Sequence, residues 1–225
     1  MKPFPRTPAI ILALFLIIAA PTVARAGDLS LSLSSGVSVT NLQARSGFED
    51  RLGVAGVYGL TAAYHFPFVR LELTGAYHSP YSYRSTGTQA SEVNSSYSSY
   101  SLIPAVRLSL PIFLLGDIYG LAGIGLSFNQ TKNSRFSYQE AGQTVTGTYD
   151  DKSSTQMAYV IGAGVSTSVL GTVLLDAGYR YTDLGQFKNG QTVNVNGANV
   201  PRFIATPDPR RPSSHDFILS VGIKF

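Results

Sequence analysis

Apolar and polar residues alternate one for one over most of this chain, the period expected of strands with two chemically different faces. DLSLSLSSGVSVTNL (Asp28–Leu42) puts Leu29, Leu31, Leu33, Val37 and Val39 on one parity and Ser30, Ser32, Ser34, Ser38 and Thr40 on the other. Eight such stretches are predicted, near residues 28–42, 52–66, 68–82, 97–110, 116–129, 154–169, 172–184 and 214–225. The connections alternate in length. Short ones fall around Pro67, at Pro111–Leu115 and at Leu170-Gly171; longer polar ones cover 43–51, 83–96, 130–153 and 185–213. Alternating short and long connections predict antiparallel neighbours with all long loops at one end.

Face chemistry separates a soluble sandwich from a membrane barrel. The polar parity is rich in Ser, Gly and Thr and poor in Lys and Glu. The apolar parity carries aromatic residues near strand ends: Tyr58, Tyr64, Phe66, Tyr77, Tyr100, Phe128, Tyr159, Tyr179, Tyr181, Phe217 and Phe225. That is the pattern of an outward apolar band with aromatic girdles at both interfaces. Only helices and closed barrels satisfy every backbone group in lipid, so the sheet is expected to close. Arg70, Glu72, Arg107, Asp176, Arg180 and Lys224 lie on the polar parity. An Arg or Lys facing mid-bilayer costs about 2–4 kcal/mol, so these six are expected to form an interior charged network plugging an eight-stranded lumen. Two stretches fit less well. Pro104 lies inside the fourth, where a missing donor argues for a bulge. In the fifth, Tyr119 and Leu121 oppose Ile118, Ala122, Ile124 and Leu126, so its inner and outer faces are weakly distinct.

The N-terminus changes the charge account. Lys2 and Arg6 precede twelve apolar residues, Ala9–Ala20, and Ala24-Arg25-Ala26 supplies small residues at −3 and −1. This reads as a secretory signal peptide over 1–26, its twelve-residue apolar run too short to span a bilayer at roughly 20 residues, with the barrel domain at 27–225. The chain has 17 basic and 13 acidic residues; removing Lys2, Arg6 and Arg25 leaves 14 and 13, a net charge of +1. No nucleic-acid partner is therefore expected. The chain has no Cys, which excludes disulfides, thiolate metal sites and a Cys nucleophile.

The alternating strands, the terminal Phe225 and AGYRYTDLG (Ala177–Gly185), a Gly-Tyr-Arg-Tyr run entering a polar-Gly turn, resemble the small outer-membrane β-barrels of the OmpA and opacity-protein type. The resemblance implies an all-β, closed, eight-stranded up-and-down barrel in a Gram-negative outer membrane, with termini and short turns in the periplasm and long loops at the cell surface. It also implies that Phe225 is a signal read by the barrel-assembly machinery. The sequence runs only to the barrel, so a wall-anchoring role is not expected.

Candidate chemistry is sparse. His65, His78 and His215 are scattered, with no metal-ligand spacing and no phosphate loop, and no cofactor is expected. His78-Ser79, Ser214-His215-Asp216 and Asp150-Asp151 are the fragments an outer-membrane hydrolase would need, and the last two resemble elements of omptin surface proteases. Their spacing is not that of the omptins, and His78 and His215 are expected at a wet outer rim. Eight strands leave no aqueous lumen, so a narrow ion or small-solute channel is an alternative rather than the leading reading. That reading is a non-enzymatic surface barrel supporting outer-membrane integrity and presenting loops for adhesion or surface recognition. Lys132, Arg135, Tyr138, Lys188, Arg202, Arg210 and Arg211 are the candidate loop contacts for lipopolysaccharide phosphates or for host or phage molecules.

Overall fold

Twelve strands and no helix make up the described residues of the computed structural model, which are 29–41, 48–50, 53–87, 92–112, 116–140, 143–188, 192–195, 198–201 and 211–225. The expected signal segment with its expected cleavage site, and Arg202 and Arg210, lie outside them. The strands are β1 (Leu29–Asn41), β2 (Phe48–Asp50), β3 (Gly53–His65), β4 (Val69–Gly87), β5 (Glu92–Ile112), β6 (Gly116–Glu140), β7 (Gln143–Tyr149), β8 (Lys152–Val169), β9 (Val173–Asp183), β10 (Thr192–Val195), β11 (Ala198–Pro201) and β12 (Ser213–Lys224).

Eight of these close a ring in the order β1-β3-β4-β5-β6-β8-β9-β12, every neighbour antiparallel. The closing seam runs from Ser30 opposite Lys224 to Asn41 opposite Ser213, and the Phe225 N–H still donates to the Leu29 carbonyl at 3.0 Å. The terminal strand is thereby paired to its last residue, and no sheet edge is left within the ring. At Leu170-Gly171 both residues have positive φ, 54° and 72°, the backbone of a tight primed hairpin turn.

The alternation maps onto the two surfaces. Leu31, Leu33, Leu60, Val106, Ile161, Leu219 and Val221 face outward, whereas Ser30, Ser32, Thr61, Ser101, Arg107 and Ser127 are buried within. Tyr58, Tyr77, Tyr100 and Phe128 stand opposite one another across β3, β4, β5 and β6, and Tyr77 and Tyr100 stack at 4.5 Å. Tyr159, Tyr179, Tyr181 and Phe217 continue this belt over β8, β9 and β12. Tyr64, Phe66 and Phe225 mark the short-turn end. Eight strand positions separate Tyr58 from Phe66, which spans about 20 Å at ~3.3 Å per residue and a tilt near 40°.

The faces of β6 are distinct after all. Tyr119 and Leu121 are buried inside, and Ile118, Ile124 and Leu126 face outward. A Cβ on Gly164 would lie 2.5 Å from the Tyr119 hydroxyl, and one on Gly178 would also meet it. These two glycines, paired across β8 and β9, make the room that lets a tyrosine turn into the lumen.

Two expectations are corrected. Pro104 causes no bulge: Leu102 opposes Leu126 and Ala105 opposes Gly123, one register on both sides of it. A Cβ on Gly123 would lie 2.5 Å from the Pro104 carbonyl oxygen, so bare glycine backbone lets the strands stay close without an inserted residue. The register shifts of β5 and its neighbours lie higher, between His78 and Tyr81 on β4 and between Asn94 and Ser96 on β5. The described parts of the long connections also carry strand pairing beyond the bounds expected for the eight stretches. β4 and β5 run into 83–96, β6 continues to Glu140 and pairs with β7, and β10 and β11 form a hairpin within 185–213. β10 pairs with β7, Val193 opposite Tyr149 and Val195 opposite Gly147.

Leu219 is 69% exposed in the outer band. Leu219→Arg is expected to destabilise the barrel in lipid vesicles by about 2–4 kcal/mol, measured by reversible urea unfolding, with Ser220→Thr on the inner parity costing under about 1 kcal/mol.

Candidate functional site

Among the described residues the lumen gathers buried charge, and it is layered. Nearest the short turns, Arg70 on β4 and Arg107 on β5 stand directly opposite each other, an arrangement of like charge that is unfavourable without acids between. Glu72, two residues along the same face of β4, lies 3.1 Å from Arg70 Nε and 3.5 Å from Arg107 Nη1. The first is a pairing by distance; Arg70 Nε is not aligned for a hydrogen bond. From the far wall, Asp176 accepts from Arg107 Nη1 at 2.5 Å and from the Tyr119 hydroxyl at 2.6 Å. Arg107 Nη2 donates to Ser166 Oγ, and its guanidinium sits 3.4 Å from the Tyr119 ring centroid. Arg107, Tyr119, Ser166 and Asp176 come from β5, β6, β8 and β9, and their contacts brace the barrel across its lumen. Removing one partner of such a buried pair costs about 3–5 kcal/mol, since it strands the other.

Below this crossing a chamber of about 460 Å³ opens at the short-turn end. Arg180 and half-buried Lys224 line it, and His65 Nε2 lies 2.8 Å from Ser30 Oγ at its wall. Above the crossing, Ile103, Leu121, Ala158 and Val160 pack an apolar layer with the Tyr119 ring. A space of only about 30 Å³ remains beyond it.

Next come His78 and Asp216, 2% and 1% exposed, with Nε2 and Oδ2 3.2 Å apart. Thr182 Oγ1 donates to the same carboxylate oxygen at 2.9 Å. His78 was expected at a wet rim; instead it and Asp216 fill the barrel, because their parity on β4 and β12 is the inner one. His215 has the opposite parity and faces outward, its Nδ1 2.7 Å from the Tyr179 hydroxyl. Ser214-His215-Asp216 therefore point alternately in, out and in. Ser214 Oγ donates to the Thr182 carbonyl, and Ser79 Oγ accepts from the Gly56 N–H. Asp150 and Asp151 are exposed between β7 and β8, and Asp151 accepts from the Asn133 N–H at 3.1 Å. His78–Asp216 joins two of these fragments, but among the described residues no hydroxyl of theirs bonds to His78, and no group of three or more His, Cys, Asp or Glu could hold a metal.

The long-loop mouth is closed by the chain itself. After β9, Gly185 takes a positive φ of 71° and its N–H is accepted by Asp183 Oδ1 at 2.8 Å. That turn sends Leu184 and Phe187 into the mouth. The Leu184 carbonyl accepts from Ser127 Oγ and from Asn129 Nδ2, and Asn129 in turn accepts from Ser99. Phe187 lies edge-on to Tyr97 at 5.3 Å and near Tyr81 at 6.4 Å, and those two rings stack at 5.7 Å. Above the aromatic belt, burial and the neighbouring Tyr97 push the Tyr81 phenol far above its ordinary value, so it stays neutral in this plug. Arg211 pins the turn from outside, its Nε 3.0 Å from Asp183 Oδ2. The hydrogen bond to that carboxylate raises the Arg211 guanidinium above its ordinary value.

Of the loop cations, Lys132 and Arg135 project outward from β6 beyond Phe128, and Lys188 is exposed just after the plug. Tyr138 lies on β6, and its side chain is outside the described residues. Sequence reading missed the His78–Asp216 pair, 138 residues apart, and the plug of Leu184 and Phe187. It also missed the β10–β11 hairpin, for which a signal existed: Asn196-Gly197 between alternating residues, a strong two-residue hairpin pattern.

The family model for the outer membrane protein beta-barrel domain matches residues 10–225. A Rickettsia bellii (strain OSU 85-389) protein named as a candidate adhesin is 31% identical over 118 residues, 52% of this chain and 48% of its own; the chain spans about half the length of that curated relative. Among solved structures, Neisserial surface protein A is similar with a TM-score of 0.50 at 17% identity, over 88% of this chain and 97% of its own. The attachment invasion locus protein Ail of Yersinia pestis aligns at 16% identity over 89% of this chain and 100% of its own, with a TM-score of 0.45. A closed antiparallel ring, a lipid-facing apolar band and a family match over nearly the whole sequence agree: the chain belongs to the outer membrane protein beta-barrel family and is a surface barrel of the Gram-negative outer membrane.

Proposed function

We propose that this is a non-enzymatic barrel, closed at rest, that supports outer-membrane integrity and displays its long-loop end outside the cell as a surface for adhesion or recognition. The observation that carries the reading is the β7–β10 ladder. It ties the segments following β6 and β9 into one sheet standing beyond the aromatic belt, so a contact surface is held by backbone hydrogen bonds rather than by free loops. Rigid presentation lowers the ordering cost of binding. The name of the Rickettsia relative points the same way. Lys132, Arg135, Lys188 and Arg211, with Arg202 and Arg210 in sequence, would supply charge-assisted contacts to lipopolysaccharide phosphates or to an acidic partner.

In this reading the short turns face the periplasm, residues 1–26 are removed after Ala26, and Phe225 is recognised by the barrel-assembly machinery. The aromatic plug and the Arg107–Asp176 crossing close the lumen in two places, which favours a non-conducting barrel over a narrow channel.

Cells displaying the protein should bind immobilised host matrix proteins, and deleting residues 192–201 should reduce binding at least tenfold while the unboiled protein still migrates faster on a gel than the boiled one. Equal binding after that deletion would sink the adhesive reading. Purified protein in planar bilayers should be electrically silent; regular single-channel steps that change on Arg107→Gln would favour the channel. Phe225→Ala should lower the amount of folded barrel in cells several-fold and leave refolding into detergent unchanged.

A further inference from the structure

The chamber below the Arg107–Asp176 crossing carries more positive charge than its own acids neutralise, and we propose that it is a binding site for a small oxyanion of the phosphate class, held chiefly by Arg180 and Arg70. Its lining includes four cations, Arg70, Arg107, Arg180 and Lys224, and three acids, Glu72, Asp117 and Asp176, an excess of one positive charge. The excess is not spread evenly. Asp176 is taken by Arg107 and Tyr119, and Glu72 already lies within 3.5 Å of both Arg70 and Arg107. Arg180 forms no ion pair or hydrogen bond among the described residues, and its Nε is buried with no acceptor. Arg70 Nε is likewise buried without an aligned acceptor.

Around the chamber the buried atoms without a hydrogen bond are the Nε donors of Arg70, Arg107 and Arg180 and one acceptor, Glu72 Oε1, so donors predominate, and donors call for an anion. A buried cation without a counter-charge is costly, and a bound anion removes that cost. Guanidinium prefers planar or tetrahedral oxyanions over a halide, because its forked N–H groups match two oxygens at once. Hydroxyls of Ser32, Thr61, Ser166, Ser168 and Ser220 line the same walls and can bond the remaining oxygens. A volume of about 460 Å³ admits a phosphate or a small phosphorylated solute, and the chamber lies at the short-turn end, with the apolar layer of Ile103 and Leu121 on its other side.

The test uses the full barrel in alkyl maltoside micelles, which carry no phosphate, in chloride-free buffer near pH 7. Inorganic phosphate and glycerol phosphate are titrated in parallel, with acetate and chloride as further arms, while the Nε–Hε resonances of Arg70 and Arg180 are followed. Saturable shifts are expected with both phosphates, at least fivefold tighter than with chloride. A glycerol phosphate preference would identify a phosphorylated solute rather than the free ion as the ligand. Arg180→Gln should weaken phosphate binding at least tenfold, and outward-facing Lys132→Gln should leave it unchanged. If Arg180→Gln does not fold, Arg180→Lys keeps the charge without the fork and should weaken binding several-fold. Shifts that grow linearly with ionic strength, equal shifts with chloride, or unchanged affinity in the Arg180 variants would overturn the proposal. The measurement needs no adhesive function, so its outcome is independent of the surface reading above.

Discussion

A strand inside a bilayer has no water to take up an unpaired N–H or C=O, and each orphan costs several kcal/mol. Everything else in this molecule follows from that constraint. It forces the last strand onto the first, residue against residue from Ser30 and Lys224 to Asn41 and Ser213. Closure then fixes two surfaces, and the strict alternation of the sequence assigns a chemistry to each. The pairing of β12 with β1, carried on to Phe225, is a requirement of the ring rather than a local preference of the sequence.

Closure also creates a narrow lumen, and the chain fills it by height. An open polar chamber, a braced charge crossing, an apolar layer, the His78–Asp216 pair and an aromatic plug succeed one another from the short turns to the long loops. Glycines serve this filling directly. Gly164 and Gly178 leave the space that Tyr119 occupies, and Tyr119 then completes the coordination of Asp176. Gly185 turns the chain so that Leu184 and Phe187 close the mouth.

The period-2 pattern made the eight ring strands legible to within a few residues at most ends, because alternation reports a face directly. It could not report a partner. His78 and Asp216 are both inward by parity, yet only the register of β4 and β12 within the closed ring brings them within 3.2 Å. The same limit hid the plug: Phe187 sits in a polar, Gly-rich stretch whose composition suggests surface, and its burial depends on one left-handed glycine and one Asp183 hydrogen bond. Pro104 misled for a related reason. A missing donor is a local fact, whereas the remedy, Gly123 on the adjoining strand, is a matter of register.

The seam between β1 and β12 is the claim on which the account rests, and a cysteine-free chain allows it to be read by a single crosslink. Ser34 and Ser220 are register partners across that seam, and opposed positions of an antiparallel pair bring Cα atoms to about 4.5–5.5 Å, within disulfide range. Ser34→Cys with Ser220→Cys, oxidised in lipid vesicles, is predicted to form an intramolecular disulfide in most molecules, whereas Ser34→Cys with Ile218→Cys, two residues out of register, is not. Equal crosslinking of the two pairs, or none in the first, would contradict the closed barrel described here.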